Sequence, residues 1–342
     1  MLRIGKIEIK DYPVLLAPME DVTDISFRYM CKKFGADIVF TEFVASEALI
    51  RKVEQAYKKM QVYEFERPAA IQIYGHQISS MQKAAQIVEQ ANPDFLDLNF
   101  GCPMKKIAGR GAGAGLLRDV PKMIKMAEAV VKATSLPITA KTRLGWDSDS
   151  IVIEQVALEL QQVGVLALTI HARTRTQMYS GKANWEWIAK IKNNPQIKIP
   201  IIGNGDITTP QKAKEAFEHY HVDGIMIGRG AIGRPYIFRE VKHFLKTGQL
   251  LPEPTVEQKV QIAREHFLKS IEFKGIPRGI YEMRRHFALY FKGLPGFKEY
   301  KLKLLQSLDI EQILKTLDNI EHYYGELRVR TATYWDEKAN KE

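Results

Sequence analysis

Residues 200–229, PIIGNGDITTPQKAKEAFEHYHVDGIMIGR, hold one complete strand–helix–strand unit and decide the fold. The run PIIGNGD (200–206) ends among glycines, Pro210 to His219 follows a helical period, and DGIMIGR (223–229) ends on a glycine and an arginine. The same alternation extends back through VLLAPM (14–19), DIVFTE (37–42), AAIQIY (69–74), FLDLNF (95–100), PITAKTR (137–143) and LALTIH (166–171). Helical candidates lie between the runs at Ser26–Phe34, Ser79–Gln90, Val120–Ala133, Ile151–Val163 and Trp185–Lys192. Eight such units predict an α/β fold of the (β/α)8 TIM-barrel type, whose usual size is about 250 residues. An open doubly wound sheet is the competing fold. It is disfavoured because no GxGxxG follows the first run and because polar residues stand at the C-terminal end of nearly every run.

Those end residues are Met19, Glu42, Gln72, Asn99, Lys141, His171, Asn204 and Arg229. Singly, each has an ordinary structural role, such as capping a helix or satisfying backbone groups. Together, in a barrel, they converge on one mouth, where crowded polar groups cost free energy unless they bind one another or a ligand. The glycines around Asn204 and Arg229 let backbone N–H groups approach an anion, which points to a phosphorylated cofactor; Gly-rich turns that merely close the barrel are the plainer reading. Lys141 and His171 supply donors at the other end of such a ligand, as a flavin ring needs when it is reduced.

One cysteine, Cys102, sits between Gly101 and Pro103 in DLNFGCPMKKIAGRGAGAGLL (97–117), just after a strand, with Lys105, Lys106 and Arg110 behind it. A thiol in such a turn is displayed, and nearby cations favour its thiolate or steer an anionic polymer to it. A buried structural cysteine is the other reading.

Composition narrows the class. The chain has 342 residues, 45% of them hydrophobic, and 50 Lys and Arg against 40 Asp and Glu, a formal charge of +10. It is globular, and its charge suits an anionic partner such as nucleic acid. Two cysteines, Cys31 and Cys102, make no disulfide framework, and no stretch is apolar for the length of a membrane span, so a cytoplasmic location is expected.

Three segments are expected: a catalytic barrel over 1–240, a small all-helical C-terminal domain over 255–325 and a frayed polar tail over 326–342. QLLPEPT (249–255) marks the boundary, and the apolar residues beyond it keep a helical spacing with no strand runs. Between Arg278 and Lys303, cations including Arg284, Arg285 and Lys292 alternate with Tyr281, His286, Phe287, Tyr290, Phe291 and Tyr300. Cations with aromatics are a common build for RNA surfaces, and aromatics at helical spacing also build cores.

The segments APMEDVTDISFR, DLNFGCPMKKIAGRGAGAGLL, ITAKTRLGW, LTIHARTRTQMYSG, IIGNGDI and IMIGRGAIGRPYIF together resemble the tRNA-dihydrouridine synthase family, and within it the bacterial DusB-like subgroup. The likeness spans nearly the whole chain. It implies an FMN-bearing barrel followed by a tRNA-binding helical domain, reducing uridine in tRNA to 5,6-dihydrouridine with NADPH or NADH as reductant and no metal. It makes Cys102 the general acid that protonates C5 after hydride passes from flavin N5 to C6. Pro18, Met19, Glu20, Gln72, Lys141, His171, Asn204, Gly205, Asp206, Gly228 and Arg229 become flavin-site candidates, Glu20 through its backbone. Asn99 and Arg143 would face the uracil, while Lys105, Lys106, Arg284 and Arg285 would meet RNA. Two alternatives stay open: a dihydroorotate-dehydrogenase-like flavoenzyme acting on a free pyrimidine, and a non-catalytic tRNA-binding protein.

Overall fold

A computed structural model describes residues 1–329. Eight parallel strands form the barrel: β1 Val14–Leu16, β2 Val39–Phe40, β3 Ala69–Tyr74, β4 Phe95–Phe100, β5 Ile138–Arg143, β6 Leu168–His171, β7 Ile201–Asn204 and β8 Gly224–Ile227. Each strand pairs with its neighbour in sequence, and β8 pairs with β1 through Met226 and Leu15. The ring closes where Leu15 bridges Ile38 beside two backbone bonds of 2.9 Å, Leu16 N to Ile38 O and Asp37 N to Val14 O.

Side-chain alternation explains what lies inside. In β4, Leu96, Leu98 and Phe100 join the core between sheet and helices, which turns Phe95, Asp97 and Asn99 inward. The lower barrel is apolar, built from Leu15, Ile38, Phe40, Ala70, Phe95, Ala167, Ile202 and Met226. An unforeseen hairpin, Leu2–Ile4 paired with Ile7–Ile9, covers this end and buries Leu2 and Ile4 against it. Each fully buried aliphatic side chain of this kind contributes about 1.5–3 kcal/mol.

The helices start where the sequence supplies caps. Asp24 Oδ1 accepts from Phe27 N at 3.0 Å to open the Ile25–Lys33 helix, and Thr209 caps Pro210–Glu218, with proline in its first turn. Two short helices after β2, Ser46–Ile50 and Glu54–Lys59, have no side-chain cap.

Beyond the Ile237–Thr247 helix, four helices, Val256–Lys274, Arg278–Tyr290, Lys298–Gln306 and Ile310–Tyr324, pack around a separate apolar core that includes Phe267, Met283, Phe287 and Ile320. This helical region sits on the Ile25–Lys33 helix. Lys274 reaches Asp24 at 2.8 Å, Lys33 meets Glu265 at 2.6 Å, and Arg278 donates to Gln55 at 3.0 Å. His286, Phe287, Tyr290 and Phe291 are buried, so the aromatics of this stretch are mainly core; Tyr281, 47% exposed, faces solvent. Most of the expected polar tail, from residue 330 on, lies outside the described residues. No helix among the described residues is long and apolar enough to cross a membrane.

Candidate active site

The inward polar residues of β3, β4 and β5 form one hydrogen-bonded chain. Thr139 Oγ1 donates to Asp97 Oδ1 at 2.5 Å, Gln72 Nε2 donates to Asp97 Oδ2 at 2.6 Å, and Asn99 Nδ2 donates to Gln72 Oε1 at 2.8 Å. Asn99 Oδ1 then accepts from the backbone N–H groups of Gly101 at 3.1 Å and Cys102 at 2.9 Å. The turn carrying the thiol is thus bolted to the barrel interior. A Cβ on Gly101 would stand 3.3 Å from the Thr142 carbonyl carbon, a tight approach to the neighbouring strand. Asn99, expected at the uracil, spends its carbonyl on this turn. Burial lifts Asp97 to about 6, against the bonds from Gln72 and Thr139.

Cys102 is buried, and burial pushes its thiol up, opposed by the Met104 backbone N–H and by Arg143. The expected bias toward thiolate is therefore reversed. Lys105 and Lys106 are exposed, on the short Lys105–Ala108 helix that leads away from the turn. A thiol ordinarily titrates near ~8.5, so this one is protonated at neutral pH.

Arg143 lies beside it, buried, with Nε donating to Gly101 O at 2.9 Å and Nη1 to Thr174 O at 2.9 Å and Met178 O at 2.8 Å. Burial lowers its guanidinium to about 10. Lys141 Nζ donates to Asn204 Oδ1 at 3.0 Å, and Asn204 Nδ2 donates to Met226 O at 2.8 Å, which orients the pair. Burial, followed by Arg143, lowers Lys141 to about 8. His171 is held well below its ordinary range by burial and then by Arg143 and Lys141, so its imidazole is neutral.

Arg173, not foreseen individually, adds a further cation. It donates to Asp206 Oδ2 at 2.8 Å and lies 3.5 Å from His171 Nε2. Asp206 also pairs with Arg229 at 3.5 Å. Tyr179, 46% exposed, spreads its ring 4.6 Å from the Arg229 guanidinium carbon and 5.6 Å from that of Arg143. Pro18 and Met19 are half-buried after β1, and a Cβ on Gly228 would stand 3.5 Å from Met19 Sδ, so the β1 and β8 loops adjoin. Gly205 takes φ +132°, open to glycine, and Trp185 Nε1 donates to its carbonyl at 3.0 Å.

Glu20 is exposed and its carboxylate pairs with Lys59; Glu42 is buried, accepts from Asp21 N at 2.7 Å and lies 3.4 Å from Lys59. Arg285 donates to Asp21 O and lies 3.9 Å from its carboxylate, so it ties the helical region to the barrel rim. The guanidinium carbon of Arg284 lies 4.7 Å from the centre of the Tyr281 ring. The Glu20, Asp21 and Glu42 carboxylates gather at one spot, already faced by Lys59 and Arg285.

Four cations, Lys141, Arg143, Arg173 and Arg229, thus gather at the mouth, the last two paired with Asp206. Fold and site together define a (β/α)8 barrel whose mouth gathers cations beside a buried thiol.

Comparison with known proteins gives the family. The family profile described as Dihydrouridine synthase (Dus) matches residues 15–324. A "Probable tRNA-dihydrouridine synthase" of Rickettsia bellii is 39% identical over 302 residues, covering 88% of this chain and 92% of the relative. A "tRNA-dihydrouridine synthase B" of Pseudomonas putida is 36% identical over 328 residues, 96% of this chain and 95% of that one. The chain belongs to the dihydrouridine synthase family, which makes it an oxidoreductase. Solved structures echo the barrel: a 2-naphthoyl-CoA reductase complex at TM-score 0.55 and 12% identity, and histamine dehydrogenase from Rhizobium sp. 4-9 at 0.54 and 10%. The match covers 71% of this chain and 51% of the reductase, and 95% of this chain and 64% of the dehydrogenase.

Proposed function

We propose that this chain is a cytoplasmic tRNA-dihydrouridine synthase that binds FMN in the barrel mouth and takes electrons from NADPH or NADH. Residues 1–240 serve as the catalytic barrel and residues 255–325 as the RNA-binding unit. The observation that carries the reading is the buried Cys102 thiol, on a turn whose backbone Asn99 holds, close to the Arg143 and Lys141 cations.

The residues present suit FMN. Asn204, Gly205, Asp206, Gly228 and Arg229 would hold its phosphate end, with Pro18 and Met19 along the adjoining loop. Gln72, Lys141 and His171 would contact the ring. Bound there and reduced, the flavin supplies the hydride that C6 of the uracil accepts.

The chain's own groups do the rest. Lys141 places an ammonium, and His171 one neutral N–H, where negative charge builds on ring and substrate. Cys102 Sγ gives its proton to C5, and Arg143 and Lys141, both of which favour the thiolate, stabilise the sulfur afterward. The target base must leave its stack to reach a recessed mouth, at a cost of a few kcal/mol that cationic contacts to the RNA offset.

The test is anaerobic. Flavin in the purified protein is reduced, and its absorbance is followed on mixing with tRNA lacking dihydrouridine. Reoxidation by tRNA, and not by free uridine or orotate, is the expected result. A response to orotate alone would assign a free-pyrimidine enzyme, and no response to either would refute the reductase reading.

A further inference from the structure

Across the mouth from the helical region, the loops after β4, β5 and β6 carry a stack of unusual charge. Arg118 ends the 3-10 turn Gly113–Arg118, and its guanidinium carbon lies 4.0 Å from the centre of the Trp146 indole. The Arg175 guanidinium carbon lies 4.6 Å from the same ring. The two loops that carry Trp146 and Arg175 run side by side, with Arg175 N bonded to Gly145 O and Thr176 N to Trp146 O, both at 2.9 Å. The backbone therefore fixes the Trp146 and Arg175 members of the stack.

Two cations share one ring, and among the described residues neither guanidinium has a carboxylate within ion-pair distance. Arg175 Nε is buried with no hydrogen-bond partner. On the helical side Lys33, Lys274, Arg278 and Arg285 are each matched to a carboxylate, at Glu265, Asp24, Glu282 and Asp21, and Arg284, stacked on Tyr281 with its own Nε buried and unpartnered, is the exception. On the barrel bank both cations of the stack are unspent. Lys105 and Lys106, exposed on the loop after β4, extend that charge.

We propose that Arg118 and Arg175, oriented by Trp146, form a phosphodiester-binding site that grips the RNA backbone on the barrel side of the mouth. This rests on the tRNA reading above. Planar guanidinium forks match phosphate oxygens, and a bound anion offsets the positive charge that the two side chains bring to one ring. Held here and at the helical region, the RNA spans the mouth, with the turned-out base between its two supports.

The test compares wild-type protein with the double variant Arg118→Gln/Arg175→Gln. It measures tRNA Kd against KCl concentration, flavin content and the rate at which NADPH reduces the bound flavin. The expected result is a Kd raised about tenfold and a log–log salt slope shallower by about 1–2, at ~0.7–0.9 per phosphate contact, with NADPH reduction unchanged. The double lysine variant should keep the slope and lose only part of the affinity. If the double glutamine variant folds poorly, Arg118→Gln alone, an exposed position, must flatten the slope by about one contact. Unchanged Kd and slope would overturn the site, and slowed NADPH reduction with unchanged tRNA binding would give these cations to the dinucleotide instead. A wild-type protein that does not bind tRNA would overturn the functional reading itself.

Discussion

Two buried polar clusters of this molecule are built on opposite rules. In the barrel, Thr139, Asp97, Gln72 and Asn99 pass hydrogen bonds in one line to the Cys102 turn, and both carboxylate oxygens of Asp97 are taken. At the junction with the helical region, His266 and His286 lie 4.5 Å apart with Phe27 against both, and His266 Nδ1 meets Tyr290 OH at 3.0 Å. There, His266 Nε2 and both nitrogens of His286 have no partner. A satisfied network fixes the position of an atom; an aromatic stack of neutral imidazoles fixes only a packing and leaves it open to protons.

The sharpest break of that contrast is at the end of the first cluster. Cys102→Ala should lower turnover on tRNA by about 10²–10⁴-fold, the usual worth of a positioned acid, while flavin content and tRNA Kd hold. Single-turnover flavin reoxidation checks it, and full activity would remove Cys102 from the proton's path. One step back, Asn99→Ala strips the acceptor from two amides and the donor from Gln72. Turnover should fall about 10–10²-fold and unfolding stability by ~1–3 kcal/mol, read by steady-state rates and urea titration.

The second cluster should answer to pH. Burial holds His286 down to about 3 and His266 well below its ordinary value. Unfolded histidine titrates near ~6.5, so the unfolded state binds more protons below that pH. The stability is complete above ~6.5 and drains away as pH falls toward the folded value, by on the order of 2 kcal/mol per histidine between pH 6.5 and 5. Asp24 pushes the same way: burial opposes it, but Lys274 holds its carboxyl below the usual range, and that stability is lost on acidification. Melting temperature against pH should slope downward on the acid side, and His286→Phe should flatten the slope without changing turnover at neutral pH; an unchanged slope would place the acid lability elsewhere. The smallest effect is expected at Arg285→Ala, where a partly exposed pair with Asp21 is worth ~0.2–1 kcal/mol. A tRNA affinity loss beyond about tenfold there would show Arg285 to hold RNA as well as the rim.

Much of this was legible in the chain. The runs at 69–74 and 95–100 coincide with β3 and β4, because strict alternation against helices leaves little freedom in register. The hairpin at Leu2–Ile9 was missed because interleaved charges break up its apolar residues, although Leu2, Ile4, Ile7 and Ile9 are what one apolar face needs. The two helices after β2 lack capping side chains and so gave no start signal. At the site, residue types pointed to the mouth, but partners did not follow from them. Asn99 turned to the Cys102 backbone, Lys105 and Lys106 turned to water, and Arg173 emerged as a partner of Asp206, all decided by contacts between loops distant in sequence.

The hairpin has one more consequence. With Leu2 and Ile4 stoppering the lower barrel, that end is closed to ligands and the polar mouth is left as the doorway. On the proposed reading, the reductant and the RNA must then take turns at the same threshold, each leaving before the other enters. Initial rates measured against one substrate at several fixed levels of the other should give parallel double-reciprocal lines, the signature of a turnstile rather than a meeting room.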